Sequence, residues 1–96
     1  MPVVGDDGIV MPRLSTFHGI VIYMYIRDQG MPHIHAWHGD DRAVVDIATG
    51  QLLAGDLHPR QARLVRTWVE LHRAELIEAW ERASEGEPPG TIEALP

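Results

Sequence analysis

The stretch Gly19-Ile-Val-Ile-Tyr-Met-Tyr-Ile-Arg27 decides the fold, because almost every residue in it favours an extended strand. Successive side chains of a strand point to opposite faces, and here apolar or aromatic residues occupy both sets of positions. One set is Ile20, Ile22, Met24 and Ile26, and the other is Val21, Tyr23 and Tyr25. A strand that is apolar on both faces is typical of a sheet interior, so we predict a central strand here.

Three shorter strands are predicted to follow and to complete an antiparallel meander. They run from His33 to His38, from Arg42 to Ile47 and from Gln51 to Ala54. A loop that contains Gly30 and Pro32 precedes the first of them. Glycines at the later turns, such as Gly50, can take the positive φ that tight hairpins require.

A long helical region is predicted from Arg60 to Ser84. Its apolar residues recur at steps of three and four, in two runs: Leu64, Trp68 and Leu71, then Leu76, Trp80 and Ala83. Such a stripe packs against a sheet, and Pro59 suits the first helical turn. A straight helix of this length would span roughly 37 Å, which is long for so small a domain. We therefore expect a kink or a break near His72 to Ala74.

These elements predict an α+β fold. We expect an antiparallel β-meander of three to four strands, packed against a C-terminal helical region that is one kinked helix or two helices. Residues 1–10 are predicted to be a disordered N-terminal extension, and residues 11–96 to form a single domain. Beyond the helix, the tail is expected to pack through Ile92 and Leu95.

The composition excludes several classes of chemistry and of partner. The 96 residues include no cysteine and no lysine, which excludes thiolate nucleophiles, iron–sulfur clusters and lysine Schiff bases. A net charge of −6 disfavours nonspecific nucleic-acid binding. No apolar run reaches the roughly 18 residues of a membrane span, and no secretion signal is evident. We expect a cytoplasmic protein.

The segment Pro32-His33-Ile34-His35-Ala36 carries the clearest potential for metal chemistry. On a strand, His33 and His35 point to the same face, about 6 to 7 Å apart, so both could bind one divalent ion such as zinc. Zinc needs at least one more protein ligand. The candidates are Asp46 on the neighbouring strand, His18, His58, or the pair His72 and Glu75. The alternative is that these histidines are half-buried groups bonded to the backbone.

A second set of candidate residues could contact a partner or a phosphate. Arg60, Arg63 and Arg66 recur at steps of three, which makes one helix face locally positive. The alternative is a solvated face with Glu70 as its counter-charge. Trp37 shares the predicted face of His33 and His35, where it would line a pocket or anchor an interface if that face is open.

Several segments resemble a known family. The sequence Pro32-His33-Ile34-His35-Ala36 and the pattern of Trp68, Leu71-His72-Arg73, Glu75-Leu76 and Trp80 are similar to the DUF4160 family of small bacterial proteins. Members of that family are often encoded beside another small protein, as in toxin–antitoxin pairs. The resemblance therefore implies a binding protein that works with a partner, and it draws attention to His33, His35, Arg60 and His72.

Three functional hypotheses follow. The first is a protein-interaction or regulatory module that works with a small partner protein, as in a toxin–antitoxin pair. The second is a small metal-dependent hydrolase or nuclease that uses His33 and His35 as ligands. The third is nucleic-acid binding through Arg60, Arg63 and Arg66. The edges of so short a sheet also leave a homodimer open.

Overall fold

A computed structural model describes residues 3–4 and 10–96, with side chains from residue 10 onward. The backbone of β1 (Val3–Val4) pairs antiparallel with β2 (Val10–Met11). The disordered extension predicted for residues 1–10 lies for the most part outside the described residues. From residue 13 onward the chain forms a second, larger sheet and one long helix.

The sheet has five antiparallel strands in chain order: β3 (Arg13–Phe17), β4 (Ile20–Tyr23), β5 (His33–His38), β6 (Asp41–Asp46) and β7 (Leu52–Gly55). The α+β class and the antiparallel meander are confirmed. The predicted number of three to four strands is wrong, because β3 was missed. Ser15 and Thr16 interrupt the apolar pattern of β3, and a register shift between Arg13 and Ser15 breaks its alternation. Pairing with β4 makes this segment a strand.

Strand β4 is an interior strand of the sheet, as predicted, but it is shorter than predicted and ends at Tyr23. The amide of Met24 donates to the Pro12 carbonyl, and the amide of Arg27 donates to the Ala83 carbonyl near the helix end. Arg27 also takes a positive φ of 59°. Met24 thus stays bonded to the residue before β3, whereas Arg27 lies against the helix end in the loop that leads into β5.

One face of the sheet, here called the inner face, is covered by the helix. It consists of the buried residues Ile20, Ile22, Ile34, Ala36, Ala43 and Val45. The helix α1 (Pro59–Ser84) covers it with Val65, Trp68, Val69, Leu76, Ala79 and Ala83. Each large apolar side chain buried in this way stabilises the fold by about 1.5–3 kcal/mol.

The predicted kink of the helix is confirmed at His72, whose φ of −119° and ψ of 22° are not helical. The region is therefore one kinked helix. It begins at Pro59, and the His58 ring accepts the amide of Arg60 at its N-terminus. The expectation that Leu71 belongs to the buried stripe is wrong, because Leu71 is 63% exposed. It directly precedes the kink, where the strict three-and-four spacing no longer holds.

The C-terminal tail packs back onto the sheet, as predicted from Ile92 and Leu95. The amide of Ile92 donates to the Leu14 carbonyl over 2.8 Å, so the tail lies along strand β3. The indole Nε1 of Trp68 donates to the Glu93 carbonyl, also over 2.8 Å. Within the part of the chain that the structure describes, no helix is both long and apolar enough to cross a membrane.

Candidate metal centre

Three side chains with metal-binding atoms converge where the 24–32 loop meets strand β5. They are Asp28, His33 and His35, and one possible ligand atom from each lies within 4.8 Å of the others. The Asp28 Oδ2 atom is 2.8 Å from His33 Nε2 and 3.3 Å from His35 Nε2. His33 and His35 share a face because they are two residues apart on a strand, as predicted. The loop supplies the carboxylate.

The hydrogen bonds of His33 restrict its protonation. Its Nδ1 lies 2.8 Å from the Met31 carbonyl oxygen, which can only accept, so Nδ1 carries a proton. Its Nε2 faces the Asp28 carboxylate. The ring is therefore either an imidazolium, or a neutral imidazole whose Nε2 lone pair can bind a cation. Metal-ligating histidines commonly donate their other N–H to a backbone carbonyl in this way.

Ring contacts hold both imidazoles in place. The ring of His35 stacks on Tyr25 with 4.1 Å between centroids and 8° between planes. The ring of His33 meets His35 edge-on at 5.1 Å and lies 5.0 Å from Trp80 of the helix. The side chains of Asp28, His33 and His35 are 24%, 12% and 16% exposed, so small solutes from solvent can reach the cluster.

The pKa values of two members favour the protonation states that a metal ion requires. Burial lowers the pKa of His35, and this effect outweighs its hydrogen bond with Asp28, which raises it. Burial raises the pKa of Asp28, but the Gln29 amide and the two histidines together bring it below the usual value. A neutral imidazole and an ionised carboxylate are the forms that bind metals.

These directions predict how the stability of the metal-free protein depends on pH. Because the folded-state pKa of His35 lies below 6.5, the unfolded chain takes up a proton first as the pH falls. The contribution of His35 to the stability of the fold is therefore fully present above pH 6.5. It is lost progressively as the pH falls from 6.5 to the pKa that His35 has in the folded protein. The Asp28 contribution is lost in the same direction below pH 3.8.

Urea unfolding in the presence of EDTA, from pH 8 to pH 5, should show the stability of wild type falling below pH 6.5. The variant His35→Gln should show a smaller fall, since glutamine does not titrate. Equal pH profiles for the two proteins would show that His35 is not the source of the loss of stability.

The other residues proposed from the sequence as a third ligand lie elsewhere. The Asp46 carboxylate accepts the amide of Ala48 and the hydroxyl of Thr49, and so forms part of a turn. Asp46 sits opposite His33 in the register, but it is not among the residues whose ligand atoms converge. The remaining candidates are engaged separately: His72 pairs with Glu75, His18 bonds the Pro96 carbonyl, and His58 caps the helix.

Asp28 was not among the ligands proposed from the sequence, because it falls in the loop that Gly30 and Pro32 mark before strand β5. Its position five residues before His33 in a loop that leads into the strand was the available signal. The loop must fold back for the two side chains to meet, and that depends on contacts with the helix end.

Trp37 lies on the outer face of the sheet, the side of β5 opposite the buried Ile34 and Ala36. His35 shares this face, and so does His33 at the strand end, where Trp80 of the helix reaches its ring. Its ring packs between Tyr23, at 4.6 Å, and the guanidinium of Arg42, at 4.2 Å. An open cleft of about 520 Å³ lies beside it. The residues that line this cleft include Tyr25, His35, Trp37, Arg42, Val44 and Ala54. Through His35, the cleft adjoins the histidine cluster.

The three arginines of the first helical half are all exposed. Arg66 pairs with Glu70 over 3.3 Å, as the solvated-face alternative expects. Within residues 10–96, Arg60 and Arg63 have no carboxylate at ion-pair distance. Arg63 and Arg66 line a groove of about 180 Å³ together with Leu52. The basic face of the helix therefore borders strand β7.

A family model described as a domain of unknown function, DUF4160, matches residues 19–81, which is more than half of the chain. The matched region runs from β4 through most of the helix, and it contains Asp28, His33, His35 and the three exposed arginines. Comparisons with curated proteins and with solved structures give no match.

Proposed function

The chain belongs to the DUF4160 family, and from the geometry of its histidine cluster we propose that it is a metal-dependent hydrolase. Asp28, His33 and His35 would hold one divalent ion, with zinc as the best candidate for two imidazole nitrogens and a carboxylate. The observation that carries the proposal is the convergence of both Nε2 atoms on one oxygen of Asp28. Asp28 would thus be the third protein ligand that zinc needs in addition to the two histidines.

The spacing of the three atoms suits a tetrahedral ion. Zinc bonds of about 2.0–2.1 Å place neighbouring ligand atoms about 3.3 Å apart. The two distances to Asp28 Oδ2 are 2.8 and 3.3 Å, close to that separation, and all three ligand atoms lie within 4.8 Å of one another, so they would have to close around the ion. Three protein ligands leave a fourth position for water, which is the arrangement of catalytic rather than structural zinc sites.

The surroundings of the cluster favour an anionic substrate. A zinc ion held by these three residues would supply a water that ionises near neutral pH, the nucleophile that ester hydrolysis needs. The guanidinium of Arg42 lies in the cleft that His35 lines, and its contact with Trp37 holds it there. Two of its hydrogen bonds, to the carbonyls of Gly39 and Asp41, use the same nitrogen, Nη1. Its other N–H groups can therefore bind a phosphate oxygen, which favours phosphoesters as substrates.

Metal content of the natively purified protein, made without a metal-binding tag, tests this function. We expect near-stoichiometric metal in wild type and almost none in His33→Ala/His35→Ala. The matched control is His38→Ala/His58→Ser, which also removes two histidines and keeps a helix-capping side chain at position 58. The loaded protein should then hydrolyse bis(p-nitrophenyl) phosphate or p-nitrophenyl phosphate. Metal that survives in the double-alanine variant would rule out this site.

A second function, binding to a small partner protein as in a toxin–antitoxin pair, is favoured by another part of the molecule. Strand β7 is an edge of the sheet, and exposed arginines border it. Native co-purification tests this function in general, and recovery of no stable partner would count against it. The two functions use different surfaces, so one chain can combine them.

A further inference from the structure

The two edges of the sheet differ in how they are covered. Along β3, the tail residue Ile92 donates its amide to the Leu14 carbonyl. Strand β7 has β6 on one side and, within residues 10–96, no strand on the other. A strand with one neighbour presents backbone N–H and C=O groups that can pair with another chain. Strand β7 is therefore the edge at which a further strand can add.

The residues of β7 do little to prevent such pairing. Leu52–Gly55 contains no proline and no charged side chain, which are two of the features by which proteins protect an exposed edge; its protection is limited to its short length and to the bulge at Leu53. Leu53 is the extra residue in the pairing with β6, where Val44 faces Ala54 and Val45 faces Leu52. Its side chain is 47% exposed. An apolar contact is thus available beside the backbone groups.

The charge around β7 indicates what kind of strand would bind. The chain as a whole has a net charge of −6, yet Arg63 and Arg66 line the groove beside Leu52. Arg63 has no carboxylate at ion-pair distance in the described part of the chain. The pair of Arg66 with Glu70 is more than half exposed, so it neutralises Arg66 only weakly. The groove therefore favours carboxylates.

A second copy of the chain fits this edge less well than a different protein does. Gly55 pairs with Ala43 of the inner face, so Asp56, the next residue, belongs to the outer-face positions. Two-fold pairing of β7 with itself would continue the sheet and keep the outer faces together. Asp56 of a second copy would then lie on the outer face, whereas Arg63 and Arg66 belong to the helix that covers the inner face. The acidic residue of a second copy would therefore not meet the arginines.

We infer that β7 binds an extended acidic segment of a partner protein by strand addition. The backbone of that segment pairs with Leu52–Gly55, an apolar side chain contacts Leu53, and carboxylates at alternate positions meet Arg63 and Arg66. The inference sharpens the second function proposed above and is independent of the metal centre. A nucleic acid could use the arginines, but it has no backbone that pairs with a strand.

The probe for this inference is a capped seven-residue peptide of alternating valine and glutamate, with a valine–lysine peptide as its charge control. We expect the acidic peptide to bind with an affinity that falls as salt is raised, and to slow hydrogen exchange at residues 52–55. The variant Arg63→Glu should weaken binding about tenfold or more. The matched control Arg13→Glu makes the same charge change on the covered strand β3, and it should leave binding within about twofold of wild type.

Three results would overturn the inference. The first is no binding of the acidic peptide at about 1 mM and low salt, or equal binding by Arg63→Glu and Arg13→Glu. The second is a peptide-free dimer in sedimentation with residues 52–55 already protected, which would assign the edge to a second copy. The third is tighter binding of a short DNA duplex that Arg63→Glu abolishes. None of them bears on metal content, so the hydrolase proposal would be judged separately.

Discussion

Replacing Asp28 with asparagine is expected to lower the affinity for zinc by a hundredfold or more. Loss of a group that merely orients a ligand typically costs about 10–100-fold, and in the proposed site Asp28 would itself supply a ligand atom. Its Oδ2 is also the atom on which both His33 and His35 converge. An asparagine keeps the shape of the side chain but removes the charge. Competition with a chromophoric chelator measures the affinity.

The matched control is Asp46→Asn, which makes the same chemical change at the carboxylate that the sequence proposed. Asp46 accepts the amide of Ala48 and the hydroxyl of Thr49, so its loss affects a turn and leaves metal affinity near that of wild type. Cobalt in place of zinc adds an independent measurement, because its visible spectrum reports coordination number and should change only in Asp28→Asn. Equal affinities of the two variants would reject Asp28 as a ligand.

Replacing Trp68 with alanine is expected to destabilise the fold by about 3–5 kcal/mol. Trp68 is fully buried, and its ring lies 5.3 Å from Phe17 of strand β3. Its Nε1 also donates to the Glu93 carbonyl of the tail, which would lose its partner. The free energy of unfolding of a small domain is about 5–15 kcal/mol, so this loss would be a large part of the total stability.

Urea unfolding at neutral pH measures this loss as a lower transition midpoint. The matched control is Leu71→Ala on the same helix, where a 63% exposed side chain should change stability by less than about 0.5 kcal/mol. A large effect at Leu71 and a small one at Trp68 would mean that the helix packs with another face. The sequence alone assigns both residues to one stripe, so this pair distinguishes the structure from the pattern.

The sequence was sufficient where local pattern and local geometry coincide. The strand β5 was predicted with its observed bounds, because turn residues flank an extended run on both sides. The helix kink at His72 was predicted because a straight helix of this length would be long for so small a domain. The shared face of His33 and His35 required only the two-residue period of a strand. The same two-residue period predicted that Trp37 lies on that face.

Non-local contacts decided what the pattern could not. Strand β3 exists because its backbone pairs with β4, although its own residues alternate poorly. The loop after Tyr23 is held at Arg27 by a bond to the carbonyl of Ala83, which lies near the end of the helix. Both features depend on partners far along the chain, and no window of neighbouring residues contains that information.

By itself the sequence determined the α+β class, the helix with its kink, and the two histidines that face the same way. Only the tertiary structure decided that Asp28, and not Asp46, joins them, and that β7 is the edge left open beside the arginines. The physical reason is the range of the interactions. Strand and helix periods arise from neighbours, whereas a ligand set and a free edge depend on which distant segments the chain brings into contact.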